Sequence, residues 1–209
     1  MAAGLYGTPN IRIWQTKNTM QNTIALNSIK TGQKARVAMA AVLGSESIFF
    51  ITLISAYFYL RSDNPTWPMA GASFMRLVFP AANTALLLIS ALTFYLGLRA
   101  VRKNHLAQLK IWLAVTLGLG LIFIAGQVLE FARSGMKISD QAFGGVFFTL
   151  MGFHAVHVLA GVVLLIILLW RANLGDFTAR RHAAVQVGAW FWYFVSAVWV
   201  VLFTALYLV

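Results

Sequence analysis

Between Gln141 and Trp170 the sequence reads QAFGGVFFTLMGFHAVHVLAGVVLLIILLW. This run contains no Asp, Glu, Lys or Arg, and it exceeds the about 20 apolar residues that a helix needs to cross a ~30 Å hydrocarbon core. The long apolar runs do not alternate apolar and polar residues, as the strands of a membrane barrel do. The sequence therefore predicts an all-α, polytopic membrane bundle of five transmembrane helices, near Arg36–Leu60, Leu77–Leu98, Ile111–Ala132, Gln141–Trp170 and Val185–Leu208.

The composition is typical of a membrane protein and excludes several other classes. Of the 209 residues, 60% are hydrophobic and only 10% are charged, whereas a soluble domain averages about 25% charged residues. Despite the net charge of +11, we expect no nucleic-acid partner, because the basic residues lie in short segments between apolar runs and form no continuous patch. The chain has no Cys, which excludes disulfides, thiolate metal sites and thiol nucleophiles.

The distribution of Lys and Arg predicts how the chain crosses the membrane. Most basic residues lie in the N-terminal segment and in the loops after the second and fourth helices, whereas the opposite side carries Arg61, Arg76, Arg133 and Lys137. The positive-inside rule then predicts a cytoplasmic N-terminus and an outer C-terminus. Residues 1–35 lack the apolar core of a signal peptide. We therefore divide the chain into a polar cytoplasmic arm, 1–35, and a transmembrane domain, 36–209.

Glu46 is predicted to lie close to the midplane of the membrane. A rise of 1.5 Å per residue puts it ~15 Å beyond Arg36, at the start of the first span. An ionised carboxylate at that depth costs several kcal/mol unless it is paired or hydrated. Two interpretations of Glu46 remain open, a proton-handling carboxylate and a hydrogen bond that packs two helices.

Gln127 and Glu130 are polar residues that lie three positions apart in the third span. Side chains at this spacing share one face of a helix. Because Glu130 is only a few residues from the following loop, we expect its carboxylate to contact solvent or lipid headgroups. With the two histidines of the fourth span, these residues form a candidate buried polar cluster.

Those histidines, His154 and His157, also share one helix face. Axial haem ligation needs ligands on opposite sides of the iron, normally from two helices, and the other histidines, His105 and His182, lie in predicted cytoplasmic loops. We therefore expect structural hydrogen bonds here, and no haem. By depth, Glu46 is a better candidate than Glu130 to pair with His154 or to share a water molecule with it.

The fifth span carries several aromatic residues. Two of them, Trp192 and Trp199, lie too far from the membrane surface to belong to an interfacial belt. We expect them to face a neighbouring helix or a partner subunit. The sequence contains no Ser-His-Asp set, no P-loop and no ligand cluster with metal spacing.

Each predicted helix carries one short motif. In chain order the motifs are Ser45-Glu46-x-x-Phe49-Phe50, Pro80-x-x-Asn83-Thr84, Gln127-x-x-Glu130-Phe131, Gly152-Phe153-His154-Ala155-Val156-His157 and Gly188-Ala189-Trp190. In this order they resemble subunit III of the haem-copper terminal oxidases, and the resemblance covers residues 36–209. The chain departs from that family at Tyr193 and Ser196, where His and Asp are usual, and its five predicted helices resemble the shorter bacterial forms.

The resemblance implies a non-catalytic subunit of a proton-pumping terminal oxidase of aerobic respiration, in the cell inner (cytoplasmic) membrane. The implied partners are subunits I and II, with a small fourth subunit in some complexes. Haem and copper would belong to those partners, and this chain would hold no redox centre. The resemblance further implies that the chain stabilises subunit I, supports proton uptake through Glu46, and binds phospholipid with Arg171 and His182 near the headgroup.

Two other functions are compatible with the sequence. A similar subunit accompanies some nitric-oxide-reducing complexes, and a small transporter or channel is the third interpretation. The lack of an inverted repeat and of paired broken helices argues against a transporter. The electron donor, cytochrome c or quinol, is a property of other subunits and is not encoded in this chain.

Overall fold

The computed structural model describes residues 11–64, 77–134 and 141–208. Within these ranges it contains no strand, and each of its long helices holds a segment apolar enough to cross a membrane. The predicted all-α, multi-pass bundle is therefore confirmed, while the side of the membrane that each terminus reaches stays a prediction. The helices are α1 (Ile11–Asp63), α2 (Val78–Arg102), α3 (Leu106–Ser134), α4 (Gln141–Asn173) and α5 (Ala183–Phe203), and a turn of π-helix, Thr204–Leu208, continues α5.

The first helix begins well before the membrane span. α1 runs without interruption from Ile11 to Asp63, and its apolar segment is Thr31–Asp63. Residues 11–35 contain no proline and one glycine, Gly32, so nothing in their backbone chemistry ends a helix. The predicted boundary at residue 35 is therefore not a helix boundary, and the division into arm and transmembrane domain stays a prediction.

The central helix of the bundle is α5, which packs against α1, α2 and α4. α3 packs against α2 and α4, and the α2–α3 hairpin forms the most extensive contact between two helices. α1 lies at the periphery, on α4 and α5. Of the most apolar 18 residues within Thr31–Asp63, only 6% are buried, so most of the surface of this segment faces out of the bundle.

Glycines on α3 and α4 make room for the indole ring of Trp192. A Cβ atom on Gly120 or on Gly161 would lie 2.8 Å from atoms of that ring, well inside the ~3.5–4.0 Å at which packed carbon atoms rest. The two glycines thus let the Trp192 side chain of α5 pack closely against α3 and α4, as small residues do in membrane bundles.

Hydrogen bonds from two indoles fix the rotation of α5 against α2. Trp192 Nε1 donates to Ser90 Oγ over 3.0 Å, and Trp199 Nε1 donates to Thr84 Oγ1 over 2.9 Å. Both tryptophans are fully buried. The prediction that they face neighbouring helices is confirmed, and each indole N–H is satisfied where no water can reach it.

Candidate functional site

A carboxyl–imidazole pair joins α1 to α4. Oε2 of Glu46 lies 3.0 Å from Nε2 of His157, and Nδ1 of the same ring lies 2.7 Å from the carbonyl oxygen of Phe153, one turn earlier. A carbonyl oxygen only accepts, so Nδ1 carries a proton. The Nε2 atom of His157 is therefore the one that faces Glu46.

This pair requires one proton between its two side chains. Either a protonated Glu46 donates to a neutral imidazole, or an imidazolium donates to a carboxylate. Both forms are neutral overall, so a proton can cross the 3.0 Å contact with His157 without creating a net charge in a low-dielectric environment. The arrangement can hold one exchangeable proton within a membrane span.

Aromatic rings shield one side of the pair. The Phe50 ring is buried and meets the His157 imidazole edge-on, with centroids 5.0 Å apart. The His157 side chain is 15% exposed and the Glu46 side chain is 31% exposed. The imidazole is thus largely protected, whereas the carboxyl group remains accessible from the outer surface of the bundle.

The predicted pairing of Glu46 with His154 is wrong. Residues three apart differ by about 60° around a helix axis, and α1 packs against the side of α4 that carries His157. His154 points into the core, with its ring 5.1 Å from that of Trp199, and is 2% exposed. Neither of its ring nitrogens has a hydrogen-bond partner among the described residues, so the structural hydrogen bond expected of His154 is not found.

Glu130 lies in a hydrogen-bonded group between the ends of α3 and α5. The Tyr207 hydroxyl donates to Oε1 over 2.6 Å, and the Gln127 amide donates to Oε2 over 3.4 Å. Glu130 is 5% exposed, so the expectation that it contacts solvent or lipid headgroups is wrong. The π turn that extends α5 carries Tyr207 to this position, and a buried carboxyl group needs such donors.

The predicted polar cluster is therefore divided among three environments. Hydrogen bonds place Gln127 and Glu130 with Tyr207, and aromatic rings surround His154. His157 belongs to the pair with Glu46.

Sequence reasoning missed two phenol groups that join helices. One is Tyr207, the donor to Glu130. The other is Tyr57 on α1, which is 2% exposed and donates to the Ala205 carbonyl oxygen over 3.0 Å. Their common signal is a Tyr within a predicted span, because a buried Tyr hydroxyl usually finds a partner.

Arg171 lies in the last turn of α4 and His182 immediately precedes α5, at the two ends of the α4–α5 loop. Arg171 Nε donates to Asp176 Oδ2 over 3.0 Å, and its guanidinium lies 5.3 Å from the centroid of the Phe177 ring. The charged side chains of this ion pair are each 42% exposed. His182 Nδ1 lies 2.7 Å from the Ala179 carbonyl oxygen. Their predicted contact with a lipid headgroup stays a prediction.

Comparison with known proteins identifies the family. The family model of cytochrome c oxidase subunit III matches residues 12–209. The chain belongs to the cytochrome c oxidase subunit III family. It is 36% identical over 167 residues to cytochrome c oxidase subunit 3 of Synechocystis sp., covering 79% of this chain and 72% of the relative. The probable cytochrome c oxidase subunit 3 of Nocardia farcinica is 33% identical over 208 residues, 97% of each chain. The subunit 3 of Tachyglossus aculeatus aculeatus is 34% identical over 202 residues, 93% of this chain and 77% of the relative.

Membership of the subunit III family confirms the resemblance carried by the helix motifs. The chain is a subunit III of a haem-copper terminal oxidase and a multi-pass membrane protein. It therefore belongs to a complex with other oxidase subunits. Across the described ranges, no group of three or more His, Cys, Asp or Glu side chains could hold a metal ion.

Tyr193 and Ser196, the two departures expected from the resemblance to subunit III, both lie on α5. Ser196 Oγ donates to the Trp192 carbonyl oxygen within its own helix over 2.8 Å. The Tyr193 hydroxyl is buried and has no hydrogen-bond partner in the part of the chain that the structure describes.

Proposed function

We propose that this chain is a non-catalytic subunit III whose Glu46–His157 pair supports proton delivery to the catalytic subunit. The observation that carries the proposal is the 3.0 Å contact between Glu46 Oε2 and His157 Nε2. A proton that moves within this pair creates no net charge, and the pair avoids a lasting buried charge if a second proton replaces the one that it passes on. Intramembrane ionisable groups are generally associated with such functions.

The outward face of α1 is the surface from which this proton would leave. Glu46 is 31% exposed there, and apolar side chains on the same helix are widely exposed, among them Ile48 at 69% and Ile51 at 63%. Large exposed apolar surfaces mark contacts with membrane or with other proteins. We propose that the catalytic subunit I covers part of this face and receives the proton.

The redox chemistry in this proposal belongs to partner subunits I and II, which would carry haem and copper, in the cell inner (cytoplasmic) membrane. The relatives are named cytochrome c oxidase subunit 3, which favours cytochrome c over quinol and oxygen over nitric oxide. The complex purified through this chain should contain haem and consume oxygen with reduced cytochrome c. A complex that oxidises quinol alone, or that reduces nitric oxide, would contradict this assignment.

We also propose that Arg171 binds a phospholipid headgroup, with His182 at the same loop. The guanidinium of Arg171 has more donors than the single one engaged by Asp176. A guanidinium binds phosphate through two parallel hydrogen bonds. At 42% exposure the side chain remains open to such a ligand.

The Glu46→Gln substitution tests the proton-delivery role. Glutamine keeps the shape of the side chain and can still hydrogen-bond to His157, but it cannot release a proton at any working pH. We expect assembly to survive, because the change creates neither a cavity nor a charge. Oxygen consumption by the intact complex should fall several-fold, and the loss should increase toward high pH, where protons are scarce.

The matched control is Glu130→Gln, which removes the buried carboxyl group of α3 while Tyr207 can still donate to the amide oxygen. Its complex should keep the pH profile of the unaltered complex. If the Glu46→Gln complex keeps its full subunit content and an unchanged profile, Glu46 serves only to pack helices and the proposal fails.

A further inference from the structure

A groove opens at the end of the bundle where α2 turns into α3. Its volume is about 510 Å³, within the range of ligand sites in proteins. The rim carries three side chains able to bear positive charge, Arg99, Lys103 and His105, and none of the groove's lining side chains is acidic. Among the described residues, neither Arg99 nor Lys103 has an ion-pair partner.

The opposite part of the groove is apolar. It is lined by Leu96, Ile111 and Trp112. A rise of 1.5 Å per residue puts Leu96 ~10 Å below Lys103 along α2, toward the interior of the membrane. Ile111 is 60% exposed and lies six residues beyond His105 along α3, ~9 Å toward the interior of the membrane. The groove is therefore cationic at the membrane surface and apolar at the depth of the hydrocarbon.

The turn that holds the cationic rim is well fixed. Asn104 adopts the left-handed conformation, with φ of 62°, which Asn tolerates better than most residues. Its side-chain oxygen accepts a hydrogen bond from the Ala179 N–H over 3.3 Å. The α2–α3 turn is thus tied to the α4–α5 loop, and Lys103 and His105 are held on either side of that anchored residue.

We propose that this groove binds one anionic phospholipid, with its phosphate between Arg99 and Lys103 and an acyl chain along Ile111 and Trp112. Charge complementarity favours an anion, and the apolar wall that continues into the span favours one that carries hydrocarbon. The site is separate from Arg171, whose guanidinium is paired with Asp176. Basic residues at a membrane surface attract anionic lipid by about 1 kcal/mol each.

The test uses the full chain in its assembled complex, in nanodiscs of equal phosphatidylglycerol and phosphatidylcholine. The photoreactive amino acid p-benzoylphenylalanine replaces Ile111, and the adducts formed on illumination are identified by mass. Phosphatidylglycerol adducts should exceed phosphatidylcholine adducts. The Arg99→Gln, Lys103→Gln double variant should lower that enrichment by roughly tenfold or more, since two such attractions are lost.

The matched control is the Arg180→Gln, Arg181→Gln double variant, which removes two exposed arginines from the anchored α4–α5 loop. It should keep the enrichment. The proposal fails if the two lipids form adducts in the same ratio as in the surrounding nanodisc. It also fails if both double variants lose the enrichment equally, or if residue 111 cross-links to a peptide of another subunit. If the Arg99→Gln, Lys103→Gln variant does not assemble, the test rests on the chain with unaltered Arg99 and Lys103. Enrichment of phosphatidylglycerol adducts then supports the proposal, and the ratio of the surrounding nanodisc overturns it.

Discussion

The hydroxyl of Tyr207 donates a 2.6 Å hydrogen bond to Oε1 of Glu130, linking the π turn after α5 to the last turns of α3. Glu130 is 5% exposed, so this donor replaces the water that a carboxyl group would otherwise bind. The bond joins two helix ends, and we expect it to stabilise the bundle.

The first prediction follows from that bond. Tyr207→Phe leaves Glu130 without its short donor, and a buried group left unsatisfied costs about 1–3 kcal/mol. The midpoint of detergent-induced unfolding of the full chain should fall accordingly. Tyr59→Phe, at an exposed tyrosine on α1, is the control and should leave the midpoint unchanged. Equal midpoints for both variants would show that the bond contributes nothing.

The second prediction concerns the glycines around Trp192. Gly120→Ala and Gly161→Ala each put a Cβ atom 2.8 Å from its ring, and overpacking a filled core typically costs about 1–3 kcal/mol. Gly118→Ala on α3 and Gly152→Ala on α4 meet nothing within 4 Å. Unfolding midpoints should therefore fall for the first pair only.

Topology is the subject of the third prediction. The excess of basic residues in the N-terminal segment and in two alternate loops predicts a cytoplasmic N-terminus. A periplasmic reporter fused to the C-terminus should be active, and one inserted after Lys103 should be inactive. If the reporter inserted after Lys103 is active, the predicted orientation is wrong.

The fourth prediction separates ion pairing from lipid binding at the α4–α5 loop. The Arg171–Asp176 pair is 42% exposed on both sides, and such surface pairs contribute about 0–1 kcal/mol. Asp176→Asn should therefore leave stability unchanged and should free Arg171 for phosphate. Phospholipid that copurifies with the complex should fall for Arg171→Gln and should be retained or increased for Asp176→Asn. Loss in both variants would assign Arg171 to loop structure.

The spans could be predicted from sequence because apolar length is a property of the chain alone. The burial of Trp192 and Trp199 followed from their depth in the fifth span for the same reason. Depth alone, however, did not identify the partner of Glu46. His154 and His157 share a helix face by spacing and differ by about 60° in direction, and only the packing of α1 against α4 decides which of them meets the carboxyl group.

The environment of Glu130 was mispredicted for a different physical reason. Proximity to a loop suggested solvent, but the π turn Thr204–Leu208 extends α5 and covers this end of α3. Nothing in the apolar pattern of the last residues distinguishes a π turn from an α-helical one. The burial of Glu130 therefore depends on how the end of α5 packs against α3. The only sequence signal for its hydrogen bond was a Tyr within a predicted span.

The measurement that tests the central claim most directly is a double-mutant cycle on the proton-holding pair. Oxygen consumption at alkaline pH is measured for intact complexes carrying Glu46→Gln, His157→Gln, or both. If the two side chains act on one shared proton, each single variant should lose about as much activity as the double variant, because groups that act as a unit are not additive. Losses that multiply in the double variant, or a His157→Gln complex with unaltered activity, would contradict the account.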